Sequence, residues 1–311
     1  MATELRELTA GLRFPEGPVV LPDGDLLVCE LRGHAVRRVP KDGGEPSGEV
    51  VLGGSPNGAQ LGPDGAVYIC NSGGWRWTDL GSMTLPGEHG ITQGEDYIGG
   101  RIQRLDLATG EFTDLYIACG DHPLVAPNDI VFDDAGGFWF TDHGHQRSRD
   151  RDHGGLYYAQ ADGSAITEVA YPLESPNGVG LSPDGTRVYV AETHTGRVYW
   201  WELSGPGTLA TPPRFGHGGR LLHRAVGAAL FDSLAVDGDG YVCVATIGIG
   251  GITVISPDGA SVEHAALPDP IVTNICFGGP DLRTAYVTLS ATGKLVSFEW
   301  PRPGLKLAYQ A

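Results

Sequence analysis

The sequence predicts an all-β protein: one six-bladed β-propeller with four-stranded antiparallel blades around a central channel, built from residues 1–311 as a single domain. Three observations predict it. A unit of strand, tight turn and strand recurs six times along the chain. Glycine and proline are abundant, at 48 and 22 of 311 residues, a composition of many turns and few long helices. No run carries the sustained helical periodicity that a barrel or a doubly wound sheet needs between its strands. Only GGRLLHRAVGAAL (218–230) allows a helix, and it reads equally well as an outer strand plus a loop.

Each unit opens on a polar residue and a short apolar run: EGPVV, NGAQL, NDIVF, NGVGL and DSLAV. A turn follows, LPDGD at 21–25, GPDGA at 62–66, DDAGG at 133–137, SPDGT at 182–186 and DGDGY at 237–241. A β-branched and aromatic run comes next, as in DLLVCE, AVYICN, GFWFTD, RVYVAE and YVCVAT, and the whole reads as strand, turn, strand. The openers are Glu16, Asn57, Asn128, Asn177, Asp232 and, in a more diverged sixth copy, Asn274. Seven positions on, every copy is in its turn, and 14 or 15 positions on the second strand ends in Glu30, Asn71, Asp142, Glu192 or Thr246. Outer strands follow, including HAVRRVP, RIQRLDL, GLYYAQAD and RVYWWEL. Six units in 311 residues give about 52 residues each, near the roughly 40–50 of a four-stranded propeller blade. The segment 3–11 is expected to pair as the outer strand of the last blade, closing the ring and covering an exposed edge.

Composition bounds the function. Lys+Arg number 21 against 38 Asp+Glu, a formal charge of −17, which argues against nucleic acid and anionic membranes, because both demand clustered cations. No run of 18 apolar residues is present, and the charged start MATELRELTAG lacks the apolar core of a signal peptide, so a cytoplasmic protein is expected. The five cysteines, at 29, 70, 119, 243 and 276, form no CxxC pair. Cys29, Cys70 and Cys243 sit in apolar runs and read as packing residues.

In a propeller the first strand of each blade lines the channel, so repetition places the six openers in one ring at one mouth. All are oxygen donors. Packed together, two carboxylates and four amides need a partner. A hard divalent cation is one: Ca²⁺ first, since it takes roughly six to eight oxygens including amide carbonyls, with Mg²⁺, Mn²⁺ or Zn²⁺ as alternatives. Asn and Asp before Gly also shape turns unaided, but six in register, two of them acidic, favour the ring. Asn57 and Asn274 read equally as channel residues bonded to water or substrate.

Two insertions flank the same mouth. WRWTDLGSMTLPGEHGITQGEDYIGG (75–100) brings Trp75, Trp77, Met83, His89 and Tyr97, either as a lid over a small apolar ring or as a loop packed on a neighbouring blade. TDHGHQRSRDRDHGG (141–155) carries His143, His145 and His153, where His143 and His145 either meet substrate or belong to a solvated turn; His194 in ETHTG has the same two readings. No G-x-S-x-G elbow of a serine hydrolase is present.

FPEGPVV (14–20), PNDIVFDDAGGFWFTD (127–142), SPNGVGLSPDGTRVYVAET (175–193), FDSLAVDGDGYVCVAT (231–246) and TNICFGG (273–279) together resemble the SMP-30/gluconolactonase/LRE-like propellers, over essentially the whole chain. The resemblance implies a divalent-metal hydrolase opening a small lactone or ester. It implies that Glu16, Asn177 and Asp232 hold the metal, that Asn128 contacts substrate or metal, and that Asp232 is catalytic as base or nucleophile. A phosphotriesterase-like hydrolysis or another activity on the same metal, such as isomerisation or a hydratase-like step, is the alternative, and a non-catalytic propeller for protein partners is the third reading. Two departures stand out. Ala126 occupies the place where sugar lactonases often carry arginine, and the fifth-blade motif reads Phe231-Asp232-Ser233 rather than Pro-Asp-Gly. Substrate contacts are therefore expected from Asn128, Asn57, Asn274, Trp75, Trp77 and His143.

Overall fold

A computed structural model describes residues 4–310, and all regular structure in that range is β-strand. Six antiparallel sheets form the blades. Blade 1 runs through Pro15–Val20, Leu26–Glu30, Ala35–Val39 and Ser47–Val51. Blade 2 uses Pro56–Leu61, Val67–Asn71, Arg101–Leu105 and Phe112–Tyr116, and blade 3 uses Pro127–Phe132, Gly137–Asp142, Gly154–Gln160 and Ile166–Leu173. Blade 4 comprises Pro176–Leu181, Arg187–Glu192, Arg197–Gly205 and Arg220–Arg224, so 218–230 holds an outer strand and a loop rather than a helix. Blade 5 comprises Leu230–Val236, Val242–Ile247, Gly251–Ile255 and Val262–Ala266. Blade 6 takes Val272–Gly278, Thr284–Leu289 and Lys294–Glu299, and its fourth strand is Arg6–Thr9 from the other end of the chain, paired antiparallel with Lys294–Glu299. First strands of consecutive blades pack side by side, and blade 6 meets blade 1, so the ring is closed.

Apolar alternation in each blade has a matching destination. Buried side chains gather at the blade interfaces: Val19, Leu27 and Ile69 between blades 1 and 2, Tyr68, Phe132 and Phe138 between 2 and 3, Trp139, Val188 and Trp201 between 3 and 4. Phe231 and Val244 fill the next interface, Ile252 and Trp300 the one after it, and Leu8, Leu26 and Leu295 the seam between blades 6 and 1. Each fully buried aliphatic or aromatic side chain contributes roughly 1.5–3 kcal/mol.

Two repeated devices set the height of the openers. Pairing between first and second strands slips at the opener in every blade, between Glu16 and Val19, Pro56 and Ala59, Pro127 and Ile130, Pro176 and Val179, Phe231 and Leu234, and Val272 and Asn274. Such a bulge bends the strand and re-aims its side chains, here toward the channel. The bulge brings neighbouring blades into backbone contact. A Cβ on Gly17, which has φ +44°, would stand 2.2 Å from Asn57 O, and one on Gly178 would stand 2.4 Å from Leu234 N, so only glycine fits there. The polar ends of the second strands then clamp the chain just ahead of the openers. Glu30 Oε1 accepts from Arg13 N at 2.7 Å, Asn71 Oδ1 from Ser55 N at 2.8 Å, and Glu192 Oε1 from Glu174 N at 2.8 Å. Asp142 accepts from Val125 N and Ala126 N, both at 2.7 Å. These buried side chains satisfy backbone donors of the connections that enter the first strands.

Candidate active site at the channel mouth

The six openers lie on the second or third residue of the first strands, at one end of the channel. Glu16, Asn57, Asn128, Asn177 and Asn274 are buried, and Asp232 keeps partial solvent access. Glu16 Oε2 accepts from Gly17 N and from Asn274 Nδ2, both at 2.9 Å. Asn177 Nδ2 donates to Thr193 Oγ1 at 3.2 Å, which turns its carbonyl oxygen inward, where Ser233 Oγ donates to it at 3.2 Å. Asp232 Oδ1 accepts from Ser233 N at 3.1 Å, and the Asn177 side chain lies against the same carboxyl. Asn57 Nδ2 donates to Ser72 Oγ at 3.5 Å.

The amide oxygens Asn57 Oδ1 and Asn128 Oδ1 are buried and have no hydrogen-bond partner. Buried acceptors of this kind are rare, because each forfeits its hydration. They suit a hard cation or a substrate hydrogen-bond donor. The carboxyls carry the same message: burial pushes Glu16 up to about 7, and burial together with the charge of Glu16 raises Asp232 well above the carboxylate range.

A third acid joins them that the spacing did not single out. Asp129, the residue after Asn128, is buried and pushed up to about 7 by burial and by the charge of Glu16. Its Oδ1 accepts from Ile130 N at 3.0 Å and its Oδ2 from Val179 N at 3.2 Å, so it bridges blades 3 and 4 across the channel. The signal lay in the glycine pattern: the residue after the opener is Gly17, Gly58 or Gly178 in three blades and an acid in the third. Among the described residues, no group of three or more His, Cys, Asp or Glu is disposed to hold a metal. A mixed set of amide and carboxylate oxygens is another way to hold a hard cation, and the unpartnered amide oxygens suit one.

The chain has relatives among known proteins. The sequence pattern of the SMP-30/gluconolactonase/LRE-like region matches residues 14–291. The chain belongs to this family. Lactonase drp35 of Staphylococcus haemolyticus is 28% identical over 254 residues, covering 81% of this chain and 69% of that protein. The gluconolactonase of Zymomonas mobilis is 24% identical over 301 residues, covering 89% and 77%. Among solved structures, a gluconolactonase from Xanthomonas campestris superposes with a TM-score of 0.73 at 21% identity, covering 96% of this chain and 90% of that one. Regucalcin from Agrobacterium tumefaciens, described as a calcium-binding protein, gives 0.74 at 19% identity over 98% of each chain. At these identities the structures show the shared propeller fold.

In this SMP-30/gluconolactonase-like chain the loops above the ring are unequal. The 75–100 insertion is a strap anchored on several blades. Its hairpin, Trp77–Leu80 with Met83–Pro86, reaches blade 1, where Arg32 pairs with Asp79 and donates to Thr84 Oγ1 at 3.0 Å, and blade 6, where Thr84 N donates to Ala291 O at 2.9 Å. Trp77 packs against Phe14 with the rings tilted and their centroids 4.9 Å apart. At its other end Thr92 N donates to Gln146 O at 2.9 Å and Tyr97 OH to Val125 O at 2.7 Å, both in the blade 3 region. Trp75 packs between His143 and His145, with centroids 5.6 and 5.2 Å away.

The histidines divide by their partners. His145 donates through Nε2 to Ser72 O at 3.0 Å and accepts at Nδ1 from Thr92 Oγ1 at 3.2 Å, so both nitrogens serve the fold. His143 donates through Nδ1 to Gly144 O at 2.8 Å, which leaves the lone pair on Nε2, and its backbone N–H donates to Ala126 O at 2.9 Å. Burial lowers His143 to about 3, so its ring is neutral at ordinary pH. His194 lies 5.9 Å from His143, exposed at the rim, and bonds Ser175 Oγ through Nδ1 at 2.5 Å. His153 stands apart, exposed and facing Glu174. Among the described residues no helix is long and apolar enough to cross a membrane.

Proposed function

We propose that this protein is a divalent-metal-dependent lactonase that opens a small lactone ring at the channel mouth. The carrying observation is the pair of buried, unpartnered amide oxygens, Asn57 Oδ1 and Asn128 Oδ1, in the same ring as Glu16 and Asp232. The lactonase names of the relatives from Staphylococcus haemolyticus and Zymomonas mobilis give the reaction class, and the regucalcin likeness favours calcium.

Glu16, Asn177 and Asp232 would hold the cation, with Asn128 beside them, and the cation when bound supplies Lewis-acid polarisation of an ester carbonyl. Asp232 is the base in this reading. It alone of the three channel acids keeps solvent access, so a water between it and the substrate is within its reach. Ser233 N and the Asn177 side chain hold its carboxyl in place. Asn274 keeps Glu16 in its acceptor orientation, and Asn57 and Asn128 offer their free carbonyls to cation or substrate hydroxyl. His143 Nε2, neutral and facing no protein donor, is an acceptor for a substrate group beside Ala126. The strap that carries Trp75, anchored on blades 1, 3 and 6, would restrict water over the mouth and favour a compact ring.

The experiment is a panel of lactones and phosphotriesters assayed on chelated and on Ca²⁺-, Mg²⁺-, Mn²⁺- or Zn²⁺-reloaded protein. Lactone turnover that disappears on chelation and returns with Ca²⁺ is expected. Turnover that survives exhaustive chelation refutes the metal, and turnover of phosphotriesters alone refutes the lactonase.

A further inference from the structure

The channel has a second mouth. The openers start the first strands at one end, and the Pro-Asp-Gly turns finish them at the other. At that far end lies a cavity of about 370 Å³, bounded on its rim by Asp133, Asp134 and Pro183 and at its inner end by Asp129 and Asn274, the underside of the oxygen ring. Its walls are mainly apolar, with Trp139, Leu181, Val236, Ile275, Phe277 and Leu307 among them. The size falls within the roughly 300–1,000 Å³ of small-molecule sites.

The C-terminal segment closes this mouth. Arg302 pairs with buried Asp237 at 2.5 Å and lies over the Tyr241 ring at 4.1 Å, which fixes the start of the segment on blade 5. Leu305 N donates to Val236 O at 3.1 Å, Gln60 Nε2 reaches Ala308 O at 3.3 Å from blade 2, and Gln310 Nε2 reaches Phe277 O at 2.8 Å on blade 6. Tyr309 meets Phe132 of blade 3 edge-on, with centroids 5.7 Å apart. Leu305, Leu307 and Ala308 thereby face the cavity.

Several of the polar groups lining the cavity are engaged with the protein itself. Both oxygens of Asp129 accept from backbone N–H groups. Gln60 Oε1 accepts from Phe132 N at 2.8 Å while its amide holds Ala308. Asn274 Nδ2 is given to Glu16, and Ser182 Oγ donates to Asp184 and accepts from Arg187 N. With those groups engaged, the larger part of the preformed lining is apolar, the surface that an apolar ligand covers well. Charge narrows the ligand further. Asp133 and Asp134 face a single exposed lysine, Lys306, at the rim of a chain of net charge −17, so an anion gains little there.

We propose that this far mouth is a binding site for one small, uncharged, mainly aliphatic molecule, seated between the underside of the oxygen ring and the C-terminal segment. The site is separate from the reaction described above, and its occupancy is read as binding, with no turnover required. A failure here therefore leaves the lactonase reading where it stands.

The test is calorimetric titration of the whole chain with 1-octanol and, in parallel, with octanoate, at two temperatures. One saturable octanol site per chain with a negative heat-capacity change is expected, with octanoate at least tenfold weaker. Ala308→Trp fills the cavity from the C-terminal segment, outside every blade sheet, and Val236→Phe fills it from the wall. Each should weaken octanol at least tenfold, with melting curves confirming that the variant is folded. If Val236→Phe does not fold, Ala308→Trp decides. Absence of a saturable octanol site, equal binding of octanoate, or unchanged octanol affinity in the folded variants each overturns the proposal.

Discussion

Asn274 donates its amide N–H to the carboxylate of Glu16 across 2.9 Å, linking the first strand of the last blade to the first strand of the first. The closure of the propeller and the preparation of its mouth are thus one contact. Because Asn274 gives Glu16 its donor face, the Glu16 carboxyl is held as an acceptor in a site that otherwise penalises its charge, and burial still pushes it up to about 7.

Asp232→Asn should reduce kcat/KM for any lactone substrate by at least about 100-fold, within the usual range for a lost general base. Far-ultraviolet circular dichroism should be unchanged, because the six interface cores do not involve residue 232. A variant retaining most of its turnover would remove Asp232 from the role of base.

Elemental analysis of protein purified without chelator should find one divalent ion per chain, and anomalous scattering should place it among Glu16, Asn177 and Asp232. Chelation should lower the Tm, since a ligand bound only to the folded state at 100 times its Kd stabilises by about 2.7 kcal/mol. Asn128→Ala should weaken the ion measurably, because it removes one of the two free amide oxygens. An ion found among the histidines at 143–153 would contradict the ring.

Aliphatic or sparsely hydroxylated γ- and δ-lactones should be hydrolysed at least as well as glucono-1,5-lactone, compared by kcat/KM at fixed metal concentration. Ala126 is buried and offers no side-chain donors, whereas arginine would present a fork to several oxygens. Trp75 and the strap favour selection by shape, and apolar contacts discriminate by only about 10–200-fold per methylene. A preference above tenfold for the polyhydroxylated ring would show that another group, His143 foremost, does the work of the arginine.

Stability should fall on acidification partly through His145. Its folded pKa is lowered to about 4 by burial, against 6.5 for the free ring. Between those values the unfolded chain binds a proton that the folded chain refuses, so stability drops as pH falls through that window and the contribution is complete above it. From pH 7.5 to 5 the loss is about 2 kcal/mol. His145→Gln keeps a donor for Ser72 O and removes the titration. The wild-type advantage in urea unfolding should therefore shrink from pH 7.5 to pH 5; a constant gap would exclude His145 as the source.

Much of the architecture was legible in the chain before any coordinates. The six openers and their turns repeat at fixed spacing because every blade solves one problem: a short strand, a tight reversal and a second strand must fit between two identical neighbours. Strand polarity then follows from local residue types, as in PNDIVF followed by GFWFTD. The loops resisted, for a physical reason. The strap at 75–100 takes its position from Arg32, Phe14, Ala291 and Gln146, partners far away in sequence. Asp129 resisted in the same way: beside Asn128 it looks like one more turn acid, and its role appears only when Val179 N of the next blade closes on it.

Sequence by itself determined the blade count, the strand order and the six polar positions at the start of the first strands, since these depend on local periodicity and on the turn chemistry of Pro, Asp and Gly. Tertiary structure alone decided which way those side chains face, through a bulge at every opener and the backbone clamps of Glu30, Asn71, Asp142 and Glu192. It also decided which amide oxygens remain without a partner, and that the C-terminal segment closes the opposite mouth. These are long-range outcomes. A residue type states what a group can bond, and only the closed ring states which partners come within reach.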